Sequence, residues 1–282
     1  MKCQRTIQLL AGLAALIIVS TSCGDDGDET TPASPTGGAS APEITTLEEG
    51  TLTVGSDIPF PPFEFREGGD ETGFDVELVE EIASRLGLAE ITWVDTAFDT
   101  IFVNLAGAQF DVAASATTIT PDREEMVNFT IPYYRAQQAL AINTEATPDI
   151  QSTDDLSEGD TVAVQRGTTG ELWARENLEA QGVEVRSFPE ALDTYTALEA
   201  ANVTGVIFDE PSVAEEVGRR PGLELVQPID TGEEYGFAVN PDNEALLEAM
   251  NTELQAMIDD GTYQQIYDKW FPEAPAGSVA TE

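Results

Sequence analysis

From Thr51 onward the chain alternates between short strand-like runs and stretches with helical spacing, and this alternation restricts the fold more than any other feature. The run TLTVG at 51–55 alternates as a strand does. Residues 74–86 then place Leu78, Val79, Ile82, Ala83 and Leu86 along one face of a helix, and Gly87 supplies a stop. EITWVDT at 90–96 predicts a second strand, 101–106 a short helix, and the apolar run FDVAA at 110–114 a buried strand. The pattern resumes after residue 150, with strands at 160–165, 183–188 and 204–208 and helices beginning at 170 and spanning 191–201. A strand at 236–239 and an amphipathic helix at 243–259 close the series. Alternation of this kind predicts an α/β fold with mostly parallel sheet.

The side-chain inventory removes several kinds of chemistry. There is no histidine, which excludes a histidine triad or a histidine-ligated metal. The cysteines are Cys3 and Cys23, so the folded part has no disulfide, thiol nucleophile or thiolate metal site. With 12 basic and 53 acidic residues the formal charge is −41, which argues against nucleic acid and against a basic lipid-binding patch. At low ionic strength such charge is self-repelling, and molar salt screens it, so the composition predicts adaptation to salt.

The N-terminus reads as an export signal over 1–22. Lys2 and Arg5 precede an eleven-residue apolar run, LLAGLAALIIV, and the small residues Ser20, Thr21 and Ser22 follow. That run is well short of the ~20 residues of a spanning helix. Small residues before Cys23 resemble a bacterial lipobox, which implies acylation of Cys23, although Ser20 stands where the usual pattern has leucine. Residues 23–46 then form an acidic tether of Gly, Pro, Ser and Thr that cannot bury a core. The expected location is outside the cell, lipid-anchored to the outer face of the cytoplasmic membrane, or periplasmic.

Four stretches carry a family resemblance. DIPFPPFEF runs from Asp57 to Phe65, GFDVELVEEIA begins at Gly73, TTITPDR ends at Arg123 with NFTIPYY following to Tyr134, and GTYQQIYDKWF ends at Phe271. Together they make the chain similar to the family-3 extracellular solute-binding proteins, the polar amino-acid receptors of ABC importers. The resemblance implies a two-lobed type II periplasmic-binding-protein fold that closes on its ligand about two hinge strands. Lobe I is then 47–132 with 236–275, lobe II 138–230, the crossings 133–137 and 231–235, and 276–282 a C-terminal tail. No cofactor is implied; the partners are an amino acid and the transmembrane subunits of the permease, and the receptor itself is expected to be a monomer.

A free amino acid is a zwitterion and needs a fixed cation and a fixed anion close together. Arg123 follows Thr120-Pro121, a helix-start signal, and its guanidinium can grip a carboxylate through two parallel bonds. Asp209 ends an apolar strand, where a carboxylate faces the crevice of an α/β sheet. The turn QRGTTG at 165–170 joins a strand to a helix, whose free N–H groups suit a carboxylate. The bland readings are a surface arginine paired with Asp122 or Glu124, a capping aspartate before Pro211, and an ordinary turn. The resemblance implies that Arg123 and Thr169 hold the α-carboxylate and Asp209 the α-ammonium. It places Ser115, Ala116 and Thr118 on the cleft wall and Phe60 and Phe98 against the aliphatic part of the ligand. Asp57 matches a position that accepts from a side-chain donor, with Gln165 beside it from the other lobe. Like charge then disfavours aspartate and glutamate as ligands and leaves basic or amide side chains, basic ahead.

Three functions compete on this fold: a transport receptor without catalysis, a dehydratase of ring acids resembling cyclohexadienyl dehydratase, and a detached ligand sensor. The dehydratase needs a general acid beside a substrate that is not an amino acid, against which intact Arg123 and Asp209 count. Nothing after Glu282 would transmit a signal. The receptor is the expected function.

Overall fold

A computed structural model describes residues 44–272. The export signal, Cys23, the tether up to residue 43 and the tail at 276–282 lie outside the described residues. In chain order the elements are β1 (Thr51–Ser56), the hairpin β2 (Phe65–Glu67) and β3 (Asp70–Thr72), α1 (Phe74–Arg85), β4 (Glu90–Asp95), α2 (Ile101–Ala106), β5 (Val112–Ala113), α3 (Pro121–Glu124) and β6 (Asn128–Phe129). They continue as β7 (Tyr134–Asn143), β8 (Thr161–Gln165), α4 (Thr169–Leu178), β9 (Glu184–Phe188), α5 (Ala191–Glu199), β10 (Gly205–Asp209), α6 (Glu210–Arg219), β11 (Leu223–Tyr235), β12 (Ala238–Val239), α7 (Glu244–Asp260) and α8 (Thr262–Trp270).

Two five-stranded sheets organise these elements, in the orders β4-β1-β5-β12-β6 and β11-β7-β10-β8-β9, and each is the floor of one α/β lobe. The chain leaves the first sheet after β6, enters the second at β7, and returns through β11 to β12. β7 and β11 are long, pair antiparallel, and are still in register at Tyr134 and Tyr235, where the lobes join. The expectation of mostly parallel sheet needs correction. β1 is parallel to β4 and β5, and β8 is parallel to β9 and β10. β7, β11 and β12 make antiparallel pairs, because strands that carry the chain between lobes and back do not use a helical crossover.

Local chemistry sets the ends that matter for the cleft. Thr120 caps α3 by accepting from the Arg123 amide at 3.3 Å, with Pro121 as the first helical residue. Thr168 caps α4 by accepting from the Glu171 amide at 3.1 Å. β1 is buried along its whole length, as a strand covered on both faces must be. Aromatic rings fill the junction between the lobes. Phe63 meets Tyr134 edge-on at 5.2 Å and Tyr235 at 5.3 Å, and Tyr133 stacks on Phe237 at 4.3 Å. Rings in these offset and edge-on arrangements add to the area they bury, so the joint is a packed core rather than a loose linker.

Candidate functional site

Parallel strands from both sheets end at one place between the lobes. Asp57 follows β1, Ser115 and Ala116 follow β5, Gln165 ends β8, and Asp209 ends β10. Open α/β sheets bind ligands outside the carboxyl ends of their strands. The cavity there has about 20 Å³ of free volume and is lined by Asp57, Phe60, Phe98, Ser115, Ala116, Thr118, Arg123, Gln165, Thr169 and Asp209. Every residue singled out in the sequence for the cleft is therefore brought to one cavity. Thr168 and Phe208 complete its lining.

Arg123 is the cation of the cavity and is only 7% exposed. Its Nη1 donates to the Thr118 carbonyl at 2.6 Å and its Nη2 to the Gly167 carbonyl, on the opposite lobe, at 3.2 Å. The guanidinium lies 4.8 Å from the ring centre of Phe102 and 5.3 Å from that of Phe98. Arg66, Arg85, Arg135, Arg166, Arg175, Arg186, Arg219, Arg220 and Lys269 all pair with a carboxylate. Among the described residues Arg123 is the one cation with no such partner. Burial lowers it to about 10, against the pull of Asp209 and Glu233. The reading of Arg123 as a surface residue paired with Asp122 or Glu124 does not survive this geometry.

Asp209 stands across the cavity. It precedes α6 but makes no capping bond; instead Gln138 Nε2 donates to its Oδ1, and the Tyr235 hydroxyl donates to its Oδ2 at 2.6 Å. Burial, followed by the charge of Glu233, raises it to about 7. At the far end Gln165 Nε2 donates to Asp57 Oδ2 at 2.5 Å and to the Pro189 carbonyl at 3.2 Å. Burial likewise raises Asp57 to about 7, and the Gln165 bond opposes the rise.

The aromatic residues divide their roles. Phe60 packs 5.4 Å from Phe208 of the other lobe and 6.0 Å from Phe63. Phe98 belongs to a core cluster with Ile101, Phe102 and Phe110 and also lines the cavity. The Thr169 hydroxyl donates to Glu233 Oε2 at 2.7 Å, and Thr118 donates to the same oxygen at 2.8 Å. Arg166 and Asp99 pair across the mouth of the cleft at 3.3 Å.

Glu233, Gln138, Tyr235, Thr168 and Phe208 were not singled out from the sequence. Thr168 and Phe208 adjoin residues that were, and that adjacency was the signal available. Glu233 carried none, being one acid among many.

Two α/β lobes meeting over a small cavity with one unpaired cation and facing carboxylates define a capture protein for a small zwitterionic or charged molecule. The chain belongs to the bacterial extracellular solute-binding proteins, family 3, which it matches over residues 52–273. It is 33% identical over 247 residues to the ABC transporter arginine-binding protein 1 of Escherichia coli (strain K12), covering 86% of this chain and 96% of that protein. An ancestral arginine-binding protein, solved with arginine and with glutamine, has a TM-score of 0.75 at 36% identity, over 79% of this chain and 98% and 99% of the two solved chains. A mutant of ArgBP from T. maritima has a TM-score of 0.74 at 35% identity, over 80% of this chain and 96% of that one.

Proposed function

We propose that the protein is the extracytoplasmic substrate-binding component of an ABC importer, catalyses no reaction, and captures an L-amino acid with a basic or amide side chain for delivery to the permease. The observation that carries this is Arg123: a buried guanidinium, without a carboxylate of its own, facing a cavity that also holds Asp209. A buried cation left unpaired costs several kcal/mol, and a ligand carboxylate supplies the missing anion. Arg123 and the start of α4 take the α-carboxylate, Asp209 takes the α-ammonium, and Phe60 and Phe98 hold the aliphatic part. Asp57 and Gln165 receive the end of the side chain. Two carboxylates to one guanidinium leave the cavity short of positive charge, which favours a basic ligand. The names of the relatives point the same way. Lobe I (47–132 and 236–275) closes on lobe II (138–230) about the crossings at 133–137 and 231–235. Acylated Cys23 holds the receptor to the membrane.

A thermal-shift screen of the twenty amino acids tests this, because a ligand that binds only the folded chain raises its melting temperature by mass action. Arginine, lysine or glutamine is expected to give the largest rise. A flat response to all twenty would end the proposal.

A further inference from the structure

Behind the first-lobe wall of the cleft, two carboxyl groups with no exposed surface hold the consecutive wall residues Ser115 and Ala116. Glu64 Oε1 accepts from Ser115 Oγ at 2.8 Å, and that hydroxyl oxygen accepts the Asp57 amide at 3.0 Å. Asp75 Oδ2 accepts the Ala116 amide at 2.9 Å and the Tyr133 hydroxyl at 2.7 Å. Ala116 has φ 45°, a left-handed conformation that a residue with a Cβ keeps only when its surroundings impose it. The chain segments that carry the two acids run side by side: the Asp75 amide donates to the Phe63 carbonyl at 3.0 Å, a Cβ on Gly73 would lie 2.8 Å from the Glu64 nitrogen, and the charge of Asp75 acts on Glu64.

This leaves Glu64 Oε2 and Asp75 Oδ1 buried with no donor. Two such oxygens would each carry the cost of an unmade hydrogen bond, and two adjacent anions would also repel. One proton shared between these two oxygens would remove both costs. Asp75 is the better anion, because its bonded oxygen receives two donors and that of Glu64 receives one. Burial pushes Glu64 well above the usual carboxylate range and Asp75 to about 7. The charged groups facing Glu64 are Asp75, Asp57 and Asp209, all acids, and Asp75 faces the phenols of Tyr133 and Tyr263.

We infer that Glu64 and Asp75 share one proton as a buried monoanionic pair that positions Ser115 and Ala116 at the cleft wall. Its bearing on affinity rests on the cleft being an amino-acid site; the shared proton does not.

Carbon-13 NMR of the wild-type chain labelled at glutamate carboxyls tests the proton directly. One glutamate is expected to keep a protonated-acid shift at neutral pH, while a spectrum of ionised glutamates alone would overturn the inference. Glu64→Gln mimics the neutral acid, its amide donating to Asp75 and its oxygen accepting from Ser115. The wild-type chain loses stability as pH rises from the unfolded glutamate value toward the raised folded one, so E64Q should gain on it over the range between those two values. A melting difference that stays constant over that range would also refute the pair. In calorimetry with arginine, Glu64→Ala should weaken binding by about tenfold or more, as expected when a buried donor loses its partner, and E64Q should restore most of it. Equal losses in the two variants would remove the positioning role. If wild type binds none of the twenty amino acids, the cleft reading fails, and the NMR and melting results still decide the proton.

Discussion

Arg123 and Asp57 line the cavity from the first lobe and Asp209 from the second, and at this scale each residue makes a separable prediction. Arg123→Ala should reduce amino-acid affinity at least about a hundredfold in calorimetry, since removing one partner of a buried charge pair costs about 2–5 kcal/mol. Unchanged affinity would show that the guanidinium is structural. Asp57→Asn should weaken arginine far more than glutamine, because only the cation loses a charge partner, and equal losses would remove Asp57 from specificity. Protonation adds a third expectation. Burial raises Asp57 and Asp209 to about 7 in the ligand-free cavity, so near neutral pH both are partly protonated. A cationic ligand binds the ionised form, and affinity should therefore climb from about pH 5 to pH 8 and then level off. Calorimetry in buffers of different ionisation enthalpy should register proton release on binding; proton uptake would contradict the assignment. The sequence exposed Asp57 and Arg123 through the motifs that carry them, and Asp209 through its place at the end of an apolar strand. It did not expose Glu233, whose carboxylate is set apart from other surface acids only by the four side chains folded around it: Thr118, Gln138, Thr169 and Thr231.

Among the elements, short α3 matters out of proportion to its length, since it carries Arg123 and is started by Thr120 and Pro121. Thr120→Ala should cost about 1 kcal/mol, the usual value of a lost N-cap, and should also weaken binding by loosening the guanidinium. Lower stability with intact affinity would separate the helix start from the site. The helices α1, α4 and α7 were legible because apolar spacing and a stop or cap agree in each, and α5 from its spacing alone. The inter-lobe strands were legible only at their lobe-joining ends. In β7, Arg135, Gln137 and Gln138 interrupt the apolar run. In β11, Pro228 and two register shifts break the alternation, so a thirteen-residue strand reads as loop. The hydrogen bonds that straighten both strands come from each other, which no local window of sequence contains.

For the molecule as a whole, the dominant fact is a formal charge of −41. Nine of the ten cations beyond Cys23 are engaged in carboxylate pairs, and among the described residues they leave most acidic side chains without a partner of opposite sign. Screening should relieve the remaining repulsion, so the melting temperature should rise from low salt to about 1 M salt, where the Debye length is ~3 Å. A fall with added salt would mean that the surface pairs outweigh the repulsion. By itself the sequence determined the alternation of strand and helix, the strand ends that face a crevice, and the residue types needed for a zwitterion, because these depend on spacing along the chain. Only the tertiary structure decided which lone cation stays unpaired, that Phe208 and Thr168 close the cavity, and that Glu64 and Asp75 bond to consecutive residues of its wall. Those facts arise from groups brought together across the chain, as Thr118 and Glu233 are across 115 positions, and burial there rather than residue type fixes their charge and partners.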